Sequence, residues 1–134
     1  MKLMLDTNIC IYIIKQKPPE VLARFNRYDV GDIALSAVTV AELQYGVHKS
    51  QQSTRNQQAL DQFLLPLIIV PFDQAAAVTY GDVRTSLERQ GKPIGPLDTL
   101  IAAHALSLDL VLATNNVGEF GRVAGLRVEN WVLP

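Results

Sequence analysis

A single cysteine, Cys10, in 134 residues allows no internal disulfide and no cysteine-based zinc site. It reads as a small buried hydrophobe in a chain from the reducing cytoplasm. Charge of one sign is also missing: 12 Lys+Arg stand against 13 Asp+Glu, a formal net charge of −1. That balance excludes a protein that coats nucleic acid by bulk electrostatics, but not a nuclease with a locally acidic, cation-holding centre. No apolar run approaches the roughly 18 residues of a membrane span. The longest, Leu64–Phe72, is broken by Pro66 and Pro71, so no membrane partner is expected. Asp6, Thr7 and Asn8 interrupt Lys2–Ile14 where a secretory leader stays apolar. There is no basic tail, charge block, low-complexity segment or internal repeat.

What is there is apolar: 49% hydrophobic and only 19% charged residues, against about 25% charged in ordinary domains. Disorder is excluded, and the chain carries more apolar surface than a lone monomer needs. Domains usually run to roughly 100–200 residues, so residues 1–134 read as one domain.

The pattern along the chain alternates short apolar runs with helical stretches. Lys2–Leu5 reads as a strand ending at Asp6. Asn8–Lys15 reads as a short helix capped by Asp6 or Thr7. Pro18-Pro19 opens a second helix through Glu20–Tyr28, and Asp32–Leu35 is a second strand. Ser36 caps a helix over Ala37–Lys49, followed by a helix near Asn56–Leu65. Leu67–Val70 suits a buried strand. Asp73 caps a helix over Gln74–Gln90, and the loop Gly91–Pro96 leads into a helix over Leu97–Leu108. Leu110–Ala113 is a buried strand, and Arg127–Trp131 a weak last one. The expected fold is α/β, a parallel sheet with helices on both faces. In such folds ligands bind beyond the carboxyl ends of the strands. Asp6 and Asn115-Asn116 both lie there.

Four acids stand out. Asp6 directly follows the first strand. Glu42 shares its strip of the Ala37–Lys49 helix with Thr39 and Gly46, both small, where a solvated face would carry several charges. Asp98, in the first turn of its helix, heads the stripe Ile101, Ala102, Ala105. A buried unpaired carboxylate is costly and wants a cation or hydrogen-bond donors. Glu119 lies just beyond the strand Leu110–Ala113, in what reads as a loop. A set of oxygen ligands without His or Cys points to Mg²⁺ or Mn²⁺ rather than zinc. Such a site activates water and neutralises a phosphoryl group.

Leu5-Asp6-Thr7-Asn8, Val40-Ala41-Glu42-Leu43, Gly95–Ala102 and Thr114–Phe120 together resemble the PIN domain, and in particular the VapC toxins of bacterial toxin–antitoxin pairs. The resemblance spans essentially the whole chain, including Gly125–Trp131. It implies a three-layer α/β/α fold and a metal-dependent endoribonuclease, held inactive by a cognate antitoxin. The implied substrate is RNA needed for translation, such as the anticodon stem-loop of initiator tRNA. The implied ligands of Mg²⁺ or Mn²⁺ are Asp6, Glu42, Asp98 and Glu119. Many relatives carry Asp near Asn116; here that position is Asn, and the resemblance implies that either Glu119, as the replacement acid, or Asn116 itself completes the site. The resemblance further implies that Thr7, Thr114, Asn115 and Asn116 support the site by hydrogen bonds. The resemblance also implies a homodimer. The first two helices, with Ile11, Tyr12, Ile14, Val21, Leu22 and Phe25, are the expected antitoxin groove.

His104 lies six residues beyond Asp98, on another helix face, and reads as structural. His48 reads as a partner of a helix dipole. Lys15, Lys17, Arg24 and Arg27, and separately Arg84, Arg89 and Lys92, are solvated faces or phosphate contacts flanking the acids. Two other functions share these residues. One is a phosphohydrolase with Asp6 as nucleophile, although Asn8 replaces its usual second acid. The other is a non-catalytic interaction module.

Overall fold

The computed structural model describes residues 1–133. Its strands are β1 (Leu3–Leu5), β2 (Ile33–Ser36), β3 (Ile68–Val70), β4 (Val111–Thr114) and β5 (Val128–Asn130). Its helices are α1 (Thr7–Lys15), α2 (Pro19–Phe25), α3 (Ala37–Lys49), α4 (Ser53–Leu64), α5 (Gln74–Arg89), α6 (Pro96–Ser107) and α7 (Val117–Phe120). All strand pairs are parallel, in the order β3-β2-β1-β4-β5.

The two-residue period of a strand sorts the sheet's side chains between two cores. Leu3, Leu5, Ile33, Leu35 and Ala113 meet Ile9, Cys10, Ile13, Val21, Leu43, Leu60 and Phe63 on the face covered by α1 to α4. Met4, Ala34 and Leu112 meet Val83, Leu87 and Ile101 to Ala103 on the face of α5 and α6. The expected three-layer architecture is thus present. The reading of Cys10 as a buried apolar residue also holds.

Local chemistry sets the helix starts. Ser36 Oγ accepts from Val38 N at 3.1 Å and Asp73 Oδ1 from Ala76 N at 3.0 Å, as the two caps require. Pro96 opens α6, where its missing N–H is no loss. Asp6 sits at the N-cap position of α1, but its side chain makes no capping hydrogen bond. Three expectations need correction. Leu67–Val70 is not a buried strand: β3 is the sheet edge, with Ile68 38% and Ile69 40% exposed. The second helix stops at Phe25 rather than Tyr28, whose ring instead stacks on Trp131. Residues 117–120 form the short helix α7 instead of a loop.

Candidate active site

β1 and β4 are neighbours in register, Leu5 beside Ala113, and their carboxyl ends deliver Asp6 and Thr114 to one place. Thr114 Oγ1 donates to Asp6 Oδ2 at 2.7 Å, and both side chains are buried. Burial pushes the Asp6 carboxyl up from its ordinary range. The Thr114 hydroxyl and the amides of Thr7 and Asn8 oppose that by favouring its charge.

Thr7 begins α1 and donates its hydroxyl to Glu42 Oε1 at 2.8 Å, bringing α3 alongside. Buried Thr39, one turn before Glu42, lies 3.5 Å from the same hydroxyl. Asn116 follows β4. Its backbone N–H donates to Thr114 Oγ1 at 2.9 Å and its side-chain amide to Glu119 Oε2 at 3.0 Å. Asn115, between them, donates to Tyr12 Oη at 3.2 Å. The tripeptide Thr114-Asn115-Asn116 therefore grips β1's aspartate, α1 and α7 in turn.

Asp98, half-buried in the first turn of α6, feels all three other acids. Desolvation is the largest cause of its raised pKa, followed by the charges of Asp6, Glu119 and Glu42. The nearness of Glu119 further favours the protonated form of Asp98. Together they push the Asp98 carboxyl up to about 6. The charges of Asp6 and Glu42 also help raise the Cys10 thiol, after burial itself. The structure thus brings together the four acids singled out from sequence, with two contributed by each half of the chain.

Among the described residues, no three His, Cys, Asp or Glu side chains converge on one point as a ready-made metal cage. The donor set still fits a hard cation. It is all oxygen, and Asp98 reports mutual repulsion that a cation would relieve. Mg²⁺ takes only one or two carboxylates and completes its shell with water and phosphate.

The PIN domain model matches residues 3–126. The tRNA(fMet)-specific endonuclease VapC of Shigella flexneri is 48% identical over 131 residues, 98% of either chain. The chain belongs to the PIN domain family, among the VapC ribonucleases. Ribonuclease VapC2 of Haemophilus influenzae resembles this PIN domain as strongly, 48% identical over 132 residues, 98% of this chain and 99% of the relative. Among solved structures, VapBC2 from Rickettsia felis bound to a DNA fragment from its promoter superposes with a TM-score of 0.92 at 42% identity, covering 98% of this chain and all of that one. DNA-bound VapBC from Salmonella typhimurium gives 0.93 at 42% identity, covering 98% and 99%. Neither the aspartate-nucleophile reading nor the non-catalytic one finds support among these relatives.

Around the site of this PIN domain the remaining candidates separate. Val21 is fully buried, while Leu22 and Phe25, like Ile11, Tyr12 and Ile14, are partly buried against the core. An apolar groove lies between α1, α3 and α4. It measures about 230 Å³, lined by Ile11, Ile14, Leu43 and Leu60, with Glu42 and Lys15 also on its wall. Arg24 is committed to Glu129 and lies over the Trp131 ring. Phe120 is wholly buried. His104 pairs with Ser36 Oγ at 2.7 Å beneath Phe72, consistent with its structural reading. Sequence reasoning missed the Tyr12–Asn115 bond and the α4 wall of the groove. Neither has a local signal, because each joins side chains far apart in the chain. No helix is long and apolar enough to cross a membrane among the described residues.

Proposed function

We propose that this chain is a Mg²⁺- or Mn²⁺-dependent endoribonuclease, the toxin of a toxin–antitoxin pair, that cuts the anticodon stem-loop of initiator tRNA. The observation that carries this reading is the gathering of Asp6, Glu42, Asp98 and Glu119 at the carboxyl ends of β1 and β4. It occurs in a chain that matches a tRNA(fMet)-specific endonuclease over nearly its whole length.

Asp6 and Asp98 would hold the cation, with Glu42 and Glu119 completing the acidic wall. A bound divalent ion supplies an activated water and neutralises the phosphoryl group being displaced. Thr114 aims the buried Asp6 and favours its charged form, Thr7 orients Glu42, and Asn116 orients Glu119. No histidine base is required.

The antitoxin's carboxy-terminal segment lies in the α1, α3, α4 groove, its apolar stripe on Ile11, Ile14 and Leu43. A basic side chain from that segment reaches Glu42 and replaces the cation, which accounts for inhibition. The VapBC assemblies formed by relatives support such a partner. The toxin itself works as a homodimer, consistent with its low surface charge.

Incubating purified protein with a tRNA(fMet) transcript tests the reading. We expect cleavage with Mg²⁺ to leave a 5′-phosphate and a 3′-hydroxyl, and EDTA, Asp6→Asn or Asp98→Asn to abolish it. Full activity in excess EDTA would sink the metal mechanism. Absence of antitoxin-induced hydrogen-exchange protection in α1 and α3 would remove the groove assignment.

A further inference from the structure

A second cleft, of about 270 Å³, opens between α5 and the loop leading into α6. It adjoins the acidic centre through two independent ties. Pro96 and Thr99 line it and flank Asp98 in the first turn of α6. Its wall at Pro93 is bound to the α7 end of the site, because Arg122 donates from its guanidinium to the Pro93 carbonyl at 3.2 Å.

From α5 the cleft receives Tyr80 and Arg84, one helical turn apart. Arg84 Nη1 donates to Tyr80 Oη at 3.0 Å, which holds the guanidinium at the mouth beside the ring. Its other partner is Glu88 at 3.4 Å, an exposed pair of the kind that a phosphate readily displaces. Leu87 and Ile94 give the cleft an apolar wall.

We propose that this cleft is a nucleotide subsite. It takes a base of the RNA next to the cut phosphodiester against Tyr80 and Ile94, and the attached phosphate on Arg84. The inference rests on the ribonuclease reading above and adds the site's means of holding substrate. The four acids repel RNA, so affinity must come from cations beside them. Lys2, Arg24 and Arg127 are paired with Asp32, Glu129 and Asp109, as Arg84 is with Glu88 at the cleft wall, so position rather than pairing distinguishes Arg84. Arg84 is the cation that lines a cleft flanking Asp98. An aromatic ring, an apolar wall and one guanidinium are what an unstacked RNA base with its phosphate requires, whereas a duplex offers no free base to such a cleft.

The test is filter binding of a tRNA(fMet) transcript, with Mg²⁺ present, to a cleavage-inactive Asp6→Asn parent. The same parent also carries Arg84→Ala, Tyr80→Leu, Tyr80→Phe or Arg127→Ala, and thermal melts confirm that each is folded. Arg84→Ala should weaken binding roughly tenfold and lower the salt-dependence slope by about 1. Tyr80→Leu should weaken it roughly tenfold, while Tyr80→Phe, which keeps the stacking face and loses only the hydroxyl that holds Arg84, should weaken it clearly less. Arg127→Ala, at the opposite end of the sheet, should change nothing. Parent-like affinity in both Arg84→Ala and Tyr80→Leu overturns the subsite and leaves the ribonuclease reading standing. A wild type that neither binds nor cuts RNA overturns both. Loss of antitoxin binding with RNA binding intact makes the cleft a protein-docking site and also overturns the proposal. Should Tyr80→Leu fail to fold, Arg84→Ala and its salt slope decide alone.

Discussion

Thr114 Oγ1 reaches Asp6 Oδ2 at 2.7 Å across 108 positions of sequence, inside the protein and at the ends of adjacent parallel strands. Hydrogen bonds to a charged group contribute about 1.5–3 kcal/mol. Thr114→Val keeps the shape and removes the donor, so the Asp6 pKa should rise further and the acidic limb of the pH–rate profile should move up. We expect kcat/KM at neutral pH to fall roughly tenfold or more, in keeping with that energy. A pH–rate profile superimposable on wild type would show that the bond does not tune Asp6.

Asp98 has the opposite linkage from an ion-paired acid. Its folded-state pKa of about 6 lies above the ordinary aspartate value of 3.8, so the folded chain binds this proton more tightly than the unfolded chain does. Its contribution to metal-free stability is full below the unfolded value and is lost as pH rises through about 6. In EDTA at pH 7, Asp98→Asn should therefore melt above wild type. A relief of about 1 kcal/mol corresponds to roughly 2–4 °C in a chain of this size. Mg²⁺ should raise the Tm of wild type and leave that of Asp98→Asn nearly unchanged. Equal Mg²⁺ shifts in the two proteins would remove Asp98 from the proposed ligand set.

Gly46 stands near the C-terminal end of α3, and a Cβ there would meet no atom within 4 Å. Internal packing thus does not demand glycine, yet Gly46 lines the groove that contains Glu42. Gly46→Ala should stabilise the chain by up to ~1 kcal/mol through helix propensity. The added methyl intrudes on the groove, so antitoxin affinity should fall while RNA cleavage persists. Unchanged antitoxin affinity, measured by titration calorimetry, would contradict the groove assignment.

Trp131 anchors the carboxy-terminal end. It is 2% exposed, donates from Nε1 to Glu129 Oε1 at 2.8 Å, stacks on Tyr28 and carries Arg24 over its ring. Trp131→Ala should cost about 3–5 kcal/mol, a large part of the 5–15 kcal/mol typical of a whole domain. Urea unfolding checks this, and a loss below 1 kcal/mol would mean that the tail is dispensable.

Asp6, Glu42 and Asp98 were legible in the sequence because each breaks a local expectation. Asp6 ends an apolar strand, Glu42 sits alone among small residues, and Asp98 leads a buried stripe of α6. Ser36 and Asp73 were legible as caps because capping depends on neighbours two or three residues away. The exposure of β3 was not legible, since Ile68-Ile69-Val70 reads the same in a central strand as at an edge. Strand order alone makes it an edge. The four-residue α7 falls below the length at which helical periodicity can be seen. The inward turn of Val21, Leu22 and Phe25, and the Arg24–Glu129 pair that accompanies it, depend on a tail more than 100 residues away.

The strand order β3-β2-β1-β4-β5 also has a consequence for synthesis. The chain up to Val70 builds β1, β2 and β3 with Asp6 and Glu42, while Asp98 and Glu119 arrive later with α6 and α7. An unfinished chain on the ribosome therefore holds half a centre, with neither the opposing acids nor the Thr114 hydroxyl. The full acidic wall of the proposed nuclease thus forms only once β4, α6 and α7 have docked on strands made earlier.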